Sequence, residues 1–296
     1  MDDAAFPTYL TTSEVADYLR LKPRKVYDLV RQGQIPCSRA TGKLLFPRQA
    51  VDLWVMNHLE GDQAASVGPQ EVLGGSQDPL LDWAMRESGC GLASLCQGSG
   101  DGIQRLLAGK ASVVGAHLLD ADGGYNNPAQ LGLGGMRDLV VVHWARRQQG
   151  LMLAADNPLG ISGLGDLTRG DVRVARRPQG AGAHRLLQGL LDRQGISMDA
   201  LGLLEQPAMS EDDLALSIAQ GRADAGLGVE AAARRQGLAF LPLQQESFDL
   251  LLRRRSYFEP PLQRLLAFAR QPRLREQAEQ FGGYDVSDLG AVRFNA

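Results

Sequence analysis

The stretch Thr11-Thr-Ser-Glu-Val-Ala-Asp-Tyr-Leu-Arg-Leu-Lys-Pro-Arg-Lys-Val-Tyr-Asp-Leu-Val-Arg-Gln-Gly33 reads as two short helices joined by a tight turn. Thr11 and Glu14 form a capping box, in which each side chain satisfies a backbone N–H that the first helical turn leaves open. Val15, Ala16 and Leu19 then share one face. Lys22-Pro23 opens the second helix, because proline at the first helical position forfeits no hydrogen bond. Val26, Leu29 and Val30 form its buried face, and Gly33 stops it as a C′ residue. Beyond Ile35-Pro36 a two-stranded wing is expected to turn at Thr41-Gly42, with Leu44 and Phe46 alternating on the return strand. Pro47 starts a third helix through Leu53, Trp54 and Leu59.

Charge singles out the same region. Between Arg20 and Arg48 lie eight basic residues and one acidic residue, Asp28, a local balance of +7 in a chain whose net charge is -3. Clustered Lys and Arg release counterions from DNA, while a helix in the major groove reads bases. Arg24, Lys25, Tyr27, Asp28 and Arg31 lie off the buried face of the second helix and are the candidate readers. Arg39 and Lys43 flank the wing tip and are placed to hold phosphates. The motifs Tyr9-Leu-Thr-Thr-Ser-Glu-Val-Ala-Asp-Tyr-Leu, Lys25-Val-Tyr-Asp-Leu-Val-Arg-Gln-Gly-Gln-Ile-Pro and Gly42-Lys-Leu-Leu-Phe-Pro resemble the excisionase-type, MerR-like winged helix domain. Lys22 departs from that pattern, which commonly has a serine or threonine cap there.

At 296 residues the chain has room for two or three compact units. Residues 1–60 are assigned to the winged helix-turn-helix domain, and the small, polar, aperiodic residues 61–69 to a linker. Residues 70–296 form a second domain. In it, apolar strands at 71–73, 92–95, 112–115 and 139–144 alternate with helices at 80–87 and 101–107, the pattern of parallel βαβ units. The alternation resumes after Gly150, with strands at 151–155, 172–175, 202–205, 223–229 and 238–243 and helices at 182–193, 211–220 and 230–236. A last strand at 248–252 precedes helices at 260–269 and 272–281. Two α/β lobes joined by crossing strands imply a cleft.

Three glycine turns sit between strands and helices: Gly74-Gly75-Ser76-Gln77-Asp78-Pro79, Gly98-Ser99-Gly100-Asp101-Gly102 and Gln179-Gly180-Ala181-Gly182. Each exposes backbone N–H groups at the positive end of a helix, which suits an anion. Ser76 and Ser99 add hydroxyl donors without bringing charge. Nucleotide motifs fail on spacing, since Gly98-x-Gly100 lacks the third glycine and Gly109-Lys110 is followed by Ala111. His117 and Tyr125 follow the third strand near the cleft and are candidate contacts, whereas His143, beside Trp144 in an apolar strand, reads as structural. The pattern of Gly109-Lys-Ala-Ser-Val-Val-Gly-Ala-His-Leu-Leu-Asp, Gly160-Ile-Ser-Gly-Leu-Gly-Asp-Leu and Gly221-Arg-Ala-Asp-Ala-Gly-Leu-Gly resembles the PBP-like domain often fused to a helix-turn-helix. It is similar to the type II periplasmic-binding-protein fold of molybdate-binding proteins and LysR-type sensors. The resemblance implies a mainly-α winged helix domain followed by a two-lobed α/β sensor with a ligand between the lobes, molybdate or tungstate being candidates. It places Ser76 and Ser99 on one side and the Gly180–Gly182 turn and the region of Asp224 on the other. A carboxylate near an anion must orient a donor or bind a cation, so Asp224 fits less simply. Ala181, Ala183 and His184 stand where relatives have serine, threonine and arginine, so hydroxyls are lost while backbone donors remain.

The expectation is a one-component transcription regulator, a homodimer on double-stranded operator DNA controlled by a small anion. No cofactor beyond that effector is expected. Competing readings are an enzyme on the α/β domain and an excisionase-like architectural DNA-binding protein. The acidic start and the lack of a long apolar run argue for the cytoplasm and against a membrane. Cys37, Cys90 and Cys96 make no metal-ligand spacing.

Overall fold

The computed structural model describes residues 7–39, 42–56, 71–120 and 123–296. The chain divides into two compact units, Met1–Gly68 and Pro69–Ala296. The expected linker at 61–69, together with Thr41 of the wing tip and Leu59, lies outside the described residues.

The first unit contains β1 (Tyr9–Leu10), α1 (Thr12–Tyr18), α2 (Pro23–Arg31), β2 (Phe46–Pro47) and α3 (Arg48–Met56). Thr11 caps α1 in a complete capping box, with Glu14 accepting from the Thr11 backbone N–H at 2.7 Å. Lys22, in contrast, supplies no side-chain bond to α2, whose start rests on Pro23. Leu10, Val15, Ala16, Val26, Leu29, Ile35, Phe46 and Val51 form one apolar core. The Tyr18 hydroxyl ties α1 to α3 by donating to Asp52 at 2.6 Å. Among the described residues of the wing, Ser38 and Leu45 form one antiparallel bridge, and the return strand then leaves to pair with β1, Leu10 opposite Phe46. Burying Phe46 against the helices requires that departure, since its side chain is fully inside.

The second unit is built on one mixed sheet. Its elements are β3 (Val72–Gly75), α4 (Pro79–Ser88), β4 (Ala93–Leu95), α5 (Ser99–Leu107), β5 (Val113–Ala116), β6 (Leu139–Leu153), β7 (Arg173–Ala175), α6 (Gly182–Asp192), β8 (Gly202–Leu203), α7 (Glu211–Ala219), β9 (Ala225–Val229), α8 (Glu230–Arg235), β10 (Ala239–Arg253), α9 (Arg254–Tyr257), α10 (Pro260–Ala269), α11 (Pro272–Phe281), β11 (Tyr284–Asp285) and β12 (Val292–Asn295). The strand order β4-β3-β5-β10-β6-β9-β7-β8 puts one parallel set at each end, with antiparallel β6 and β10 between them.

Sequence pattern divides β6 and β10 each into two strands; the structure shows single 15-residue strands. Their polar middles, Arg146 to Gln149 and Gln244 to Ser247, read as breaks because they interrupt apolar runs. They are the crossing between lobes, where Arg147, Gln149 and Glu246 turn inward to a polar seam instead of either core. At its ends β6 belongs to different cores. Val140, Val142 and Trp144 pack with Leu81, Phe248 and Leu265, while Leu151 and Leu153 pack with Leu187 and Leu227. Register shifts in β10 between Pro242 and Gln244 and between Phe248 and Asp249 bracket the crossing.

Candidate functional site

On the first unit, α2 presents Arg24, Lys25, Tyr27 and Arg31 to solvent opposite the buried Val26 and Leu29, and Arg39 and Lys43 are exposed at the wing. Asp28 is half-buried and accepts from Arg31 at 2.7 Å. The predicted readers therefore share one helix face, with Arg31 held by Asp28.

On the second unit the three glycine turns converge. Gly75 has φ +90°, and a Cβ there would sit 2.2 Å from the Gly115 carbonyl oxygen, so only glycine carries the chain from β3 into the turn. Ser76 and Ser99 are buried, with their hydroxyls 2.7 Å apart. Gly98 and Gly100 face the third turn across the lobes, since Cβ atoms on them would lie 3.4 Å and 3.8 Å from the Gly180 carbonyl oxygen. Gly182, the first residue of α6, abuts the His117 ring. Gly75, Ser76, Ser99, Gly100, His117, Gly180, Ala181 and Gly182 thus gather at one seam.

The remaining sequence candidates diverge. The Gln77 amide turns aside and donates to Asp82 at 2.8 Å. Tyr125 lies on the crossing, accepting from Gln244 at 2.7 Å, and burial together with the Glu246 charge pushes its phenol up to about 12. Asp224 is a correction. It precedes β9 at the edge where β7 and β9 begin, and it holds Arg173 through its side chain at 2.8 Å and 3.0 Å. The seam lies at the opposite, carboxyl ends of these strands, so Asp224 pins the far edge of the lobe. His143 is buried, with Nδ1 2.7 Å from Asp249, in keeping with a structural part.

Sequence reasoning missed the polar centre of the seam. Glu246 on β10 accepts from Arg147 Nε at 2.9 Å and from Gln149 Nε2 at 2.9 Å, and its other oxygen lies 2.8 Å from His117 Nδ1. Arg147 also donates to Asp78 at 3.0 Å, and Asp78 accepts from Tyr284 at 2.7 Å and from Trp144 at 3.2 Å. Burial alone would raise the Glu246 carboxyl, but Arg147 and His117 outweigh it and bring it down to about 2. Burial likewise opposes the Arg147 charge, and Glu246 and Asp78 keep it ionised. The Arg147 guanidinium stacks over Phe248, 4.3 Å from the ring centroid. From the second lobe, Arg177 follows β7 and donates to the Ala208 carbonyl at 3.0 Å. Glu211 of α7 accepts from the Val229 N–H at 3.1 Å. The legible signal was the two-residue spacing of Arg147 with Gln149 and of Gln244 with Glu246, which puts each pair on one strand face. Such a seam can bind and orient a small polar molecule. Among the described residues, no group of three or more His, Cys, Asp or Glu side chains is placed to hold a metal ion, and no helix is long and apolar enough to cross a membrane.

Comparison with known proteins agrees with this architecture. Residues 82–270 match the PBP superfamily domain and residues 9–58 match a helix-turn-helix domain. The uncharacterized protein YvgK of Bacillus subtilis (strain 168) is 25% identical over 301 residues, covering 95% of this chain and 96% of its own length. A phosphate ABC transporter substrate-binding protein with bound phosphate from Clostridium perfringens has the same fold, with TM-score 0.52, 13% identity, and coverage of 71% of this chain and 96% of its own. Both matched domains are of binding kinds. The chain belongs to the PBP superfamily domain family, with a helix-turn-helix domain at its N-terminal end.

Proposed function

We propose that the protein is a one-component transcription regulator whose DNA binding is set by a small anion held between the lobes of its second unit. The observation that carries this reading is the convergence of three glycine turns and two buried serine hydroxyls at one seam, in a chain whose other unit exposes a basic helix face. Backbone N–H groups at helix starts and uncharged hydroxyls suit an anion, either an oxyanion such as molybdate or tungstate or a small carboxylate. The relative's bound phosphate is in keeping with that class. No cofactor is needed beyond the effector. Working as a homodimer on operator DNA in the cytoplasm, the protein would respond because the anion binds the closed lobes better than the open ones, and only that difference can shift an equilibrium.

The test has two arms. A mobility-shift titration with operator fragments should lose affinity when Arg24 and Arg31 are both replaced by alanine; unchanged affinity would overturn the DNA-binding half. Calorimetry against an anion panel should give at least one saturable ligand that Ser99→Ala weakens, and the absence of any would overturn the sensor half.

A further inference from the structure

Two buried polar atoms beside the seam make no hydrogen bond. Gln149 is fully buried, and its amide orientation is chemically fixed: the Glu246 carboxylate only accepts, so the NH2 group must face it. The amide oxygen, Oε1, is left buried without a donor. Arg177 is 8% exposed, and its Nε–H is buried without an acceptor. The nearest carboxylate oxygen recorded for it, Glu211 Oε1, is 4.0 Å away, beyond hydrogen-bond reach. Burying an unmet donor or acceptor costs about 1–3 kcal/mol, so each marks a place where a partner of opposite polarity belongs.

Both atoms belong to the seam. Gln149 shares Glu246 with His117, whose ring meets Gly182 across the lobes. Arg177 lies on the β7–α6 loop with Gly180, and that loop leads into Gly182 at the start of α6. The charges around them give a separate indication. Asp78, Glu246 and Glu211 supply three carboxylates against the two guanidinium groups of Arg147 and Arg177, with the His117 and His184 rings and the Tyr284 phenol as further titratable groups beside them. A fully deprotonated dianion meets no cationic surplus there.

We propose that the effector is an anion that carries its own O–H or N–H donor, presenting an acceptor oxygen to Arg177 and the donor to the Gln149 carbonyl. Hydroxycarboxylates and hydrogen phosphate have this chemistry; molybdate, tungstate and sulfate lack the donor. The inference rests on the anion-sensor reading above and narrows it. A site that offers both polarities rejects an analogue lacking one of them, because the matching protein atom then stays unpaired.

Titration calorimetry on the full-length protein near neutral pH, with phosphate against sulfate and molybdate and with lactate against propionate, reads this directly. The donor-bearing member of at least one pair should bind about tenfold or more tightly. Gln149→Leu should erase that preference while binding of the donor-free member persists, and Arg177→Gln should weaken all of them. If the leucine variant does not fold, Gln149→Met keeps the side-chain volume and serves instead. Equal or tighter binding of the donor-free member in both pairs, or a preference that survives loss of the Gln149 amide, overturns the inference and leaves the anion reading standing. No binding by any of the five overturns the anion reading and this inference with it.

Discussion

The His117 ring lies against the backbone of Gly182 so closely that a Cβ at that position would stand 2.5 Å from Cε1. The two residues come from opposite lobes, so their contact is made only when the lobes meet. Gly182→Ala should therefore hold the lobes apart. Effector affinity is expected to fall about tenfold or more, while thermal unfolding moves little because open lobes relieve the clash. Calorimetry and a melting curve on one preparation decide it, and unaltered affinity would show that the lobes need not close this far.

Glu246 makes stability depend on acid. Its carboxyl sits at about 2 in the folded protein against an ordinary value of 4.5. A depressed carboxyl contributes stability that is complete above about 4.5 and is lost as the pH falls toward 2, here about 3 kcal/mol. Urea midpoints of wild type and Glu246→Gln should differ most near neutrality and converge below pH 3. A constant difference across that range would count against the assignment.

Replacing Glu246 by alanine is a harsher change. It leaves Arg147 buried with Asp78 as its remaining anionic partner, and loss of one member of such a buried pair costs about 3–5 kcal/mol. Asp224→Asn, by comparison, removes a partly exposed pair with Arg173 and should cost about 1 kcal/mol or less. Effector affinity should not respond to it at all, which separates the far edge of the lobe from the seam.

For the DNA-binding unit, Arg39→Ala and Lys43→Ala should each lower the slope of log affinity against log salt by about 1, as expected for one lost phosphate contact. Asp28→Ala frees Arg31 from its 2.7 Å partner and removes a negative charge from the reading face, so non-specific affinity should rise. Salt-series anisotropy titrations measure both.

Thr11→Ala tests the cap alone. The hydroxyl that accepts from the Glu14 N–H is lost while the backbone N–H of residue 11 keeps its bond to the Glu14 carboxylate, and the first unit should lose about 1 kcal/mol without a change in salt slope.

Local signals carried most of the fold. Pro260 and Pro272 mark helix starts that the structure reproduces to the residue, and the ends at Ala269 and Phe281 agree as well. The three glycine turns were legible because each lies at the end of its own strand. The polar centre was not. Arg147 and Glu246 are 99 residues apart, and Asp78 is 69 residues from Arg147, so their meeting depends on strand register, which no local pattern encodes. The same polar residues disguised two long strands as four short ones. Asp224 was misplaced for a related reason: the sequence marks a carboxylate beside a strand, and only topology says which end of the sheet it occupies.

The place of β10 in the sheet sets the order in which the molecule comes into being. The strand lies between β5 and β6, in the middle of the first lobe, yet ends at Arg253, late in the chain. During synthesis the helix-turn-helix core is complete once Met56 has left the ribosome, because domains fold as units from the N-terminal end. The sensing unit must wait for almost two hundred further residues before its central strand arrives. Every newly made copy thus owns its means of gripping DNA before it owns the part that would govern that grip.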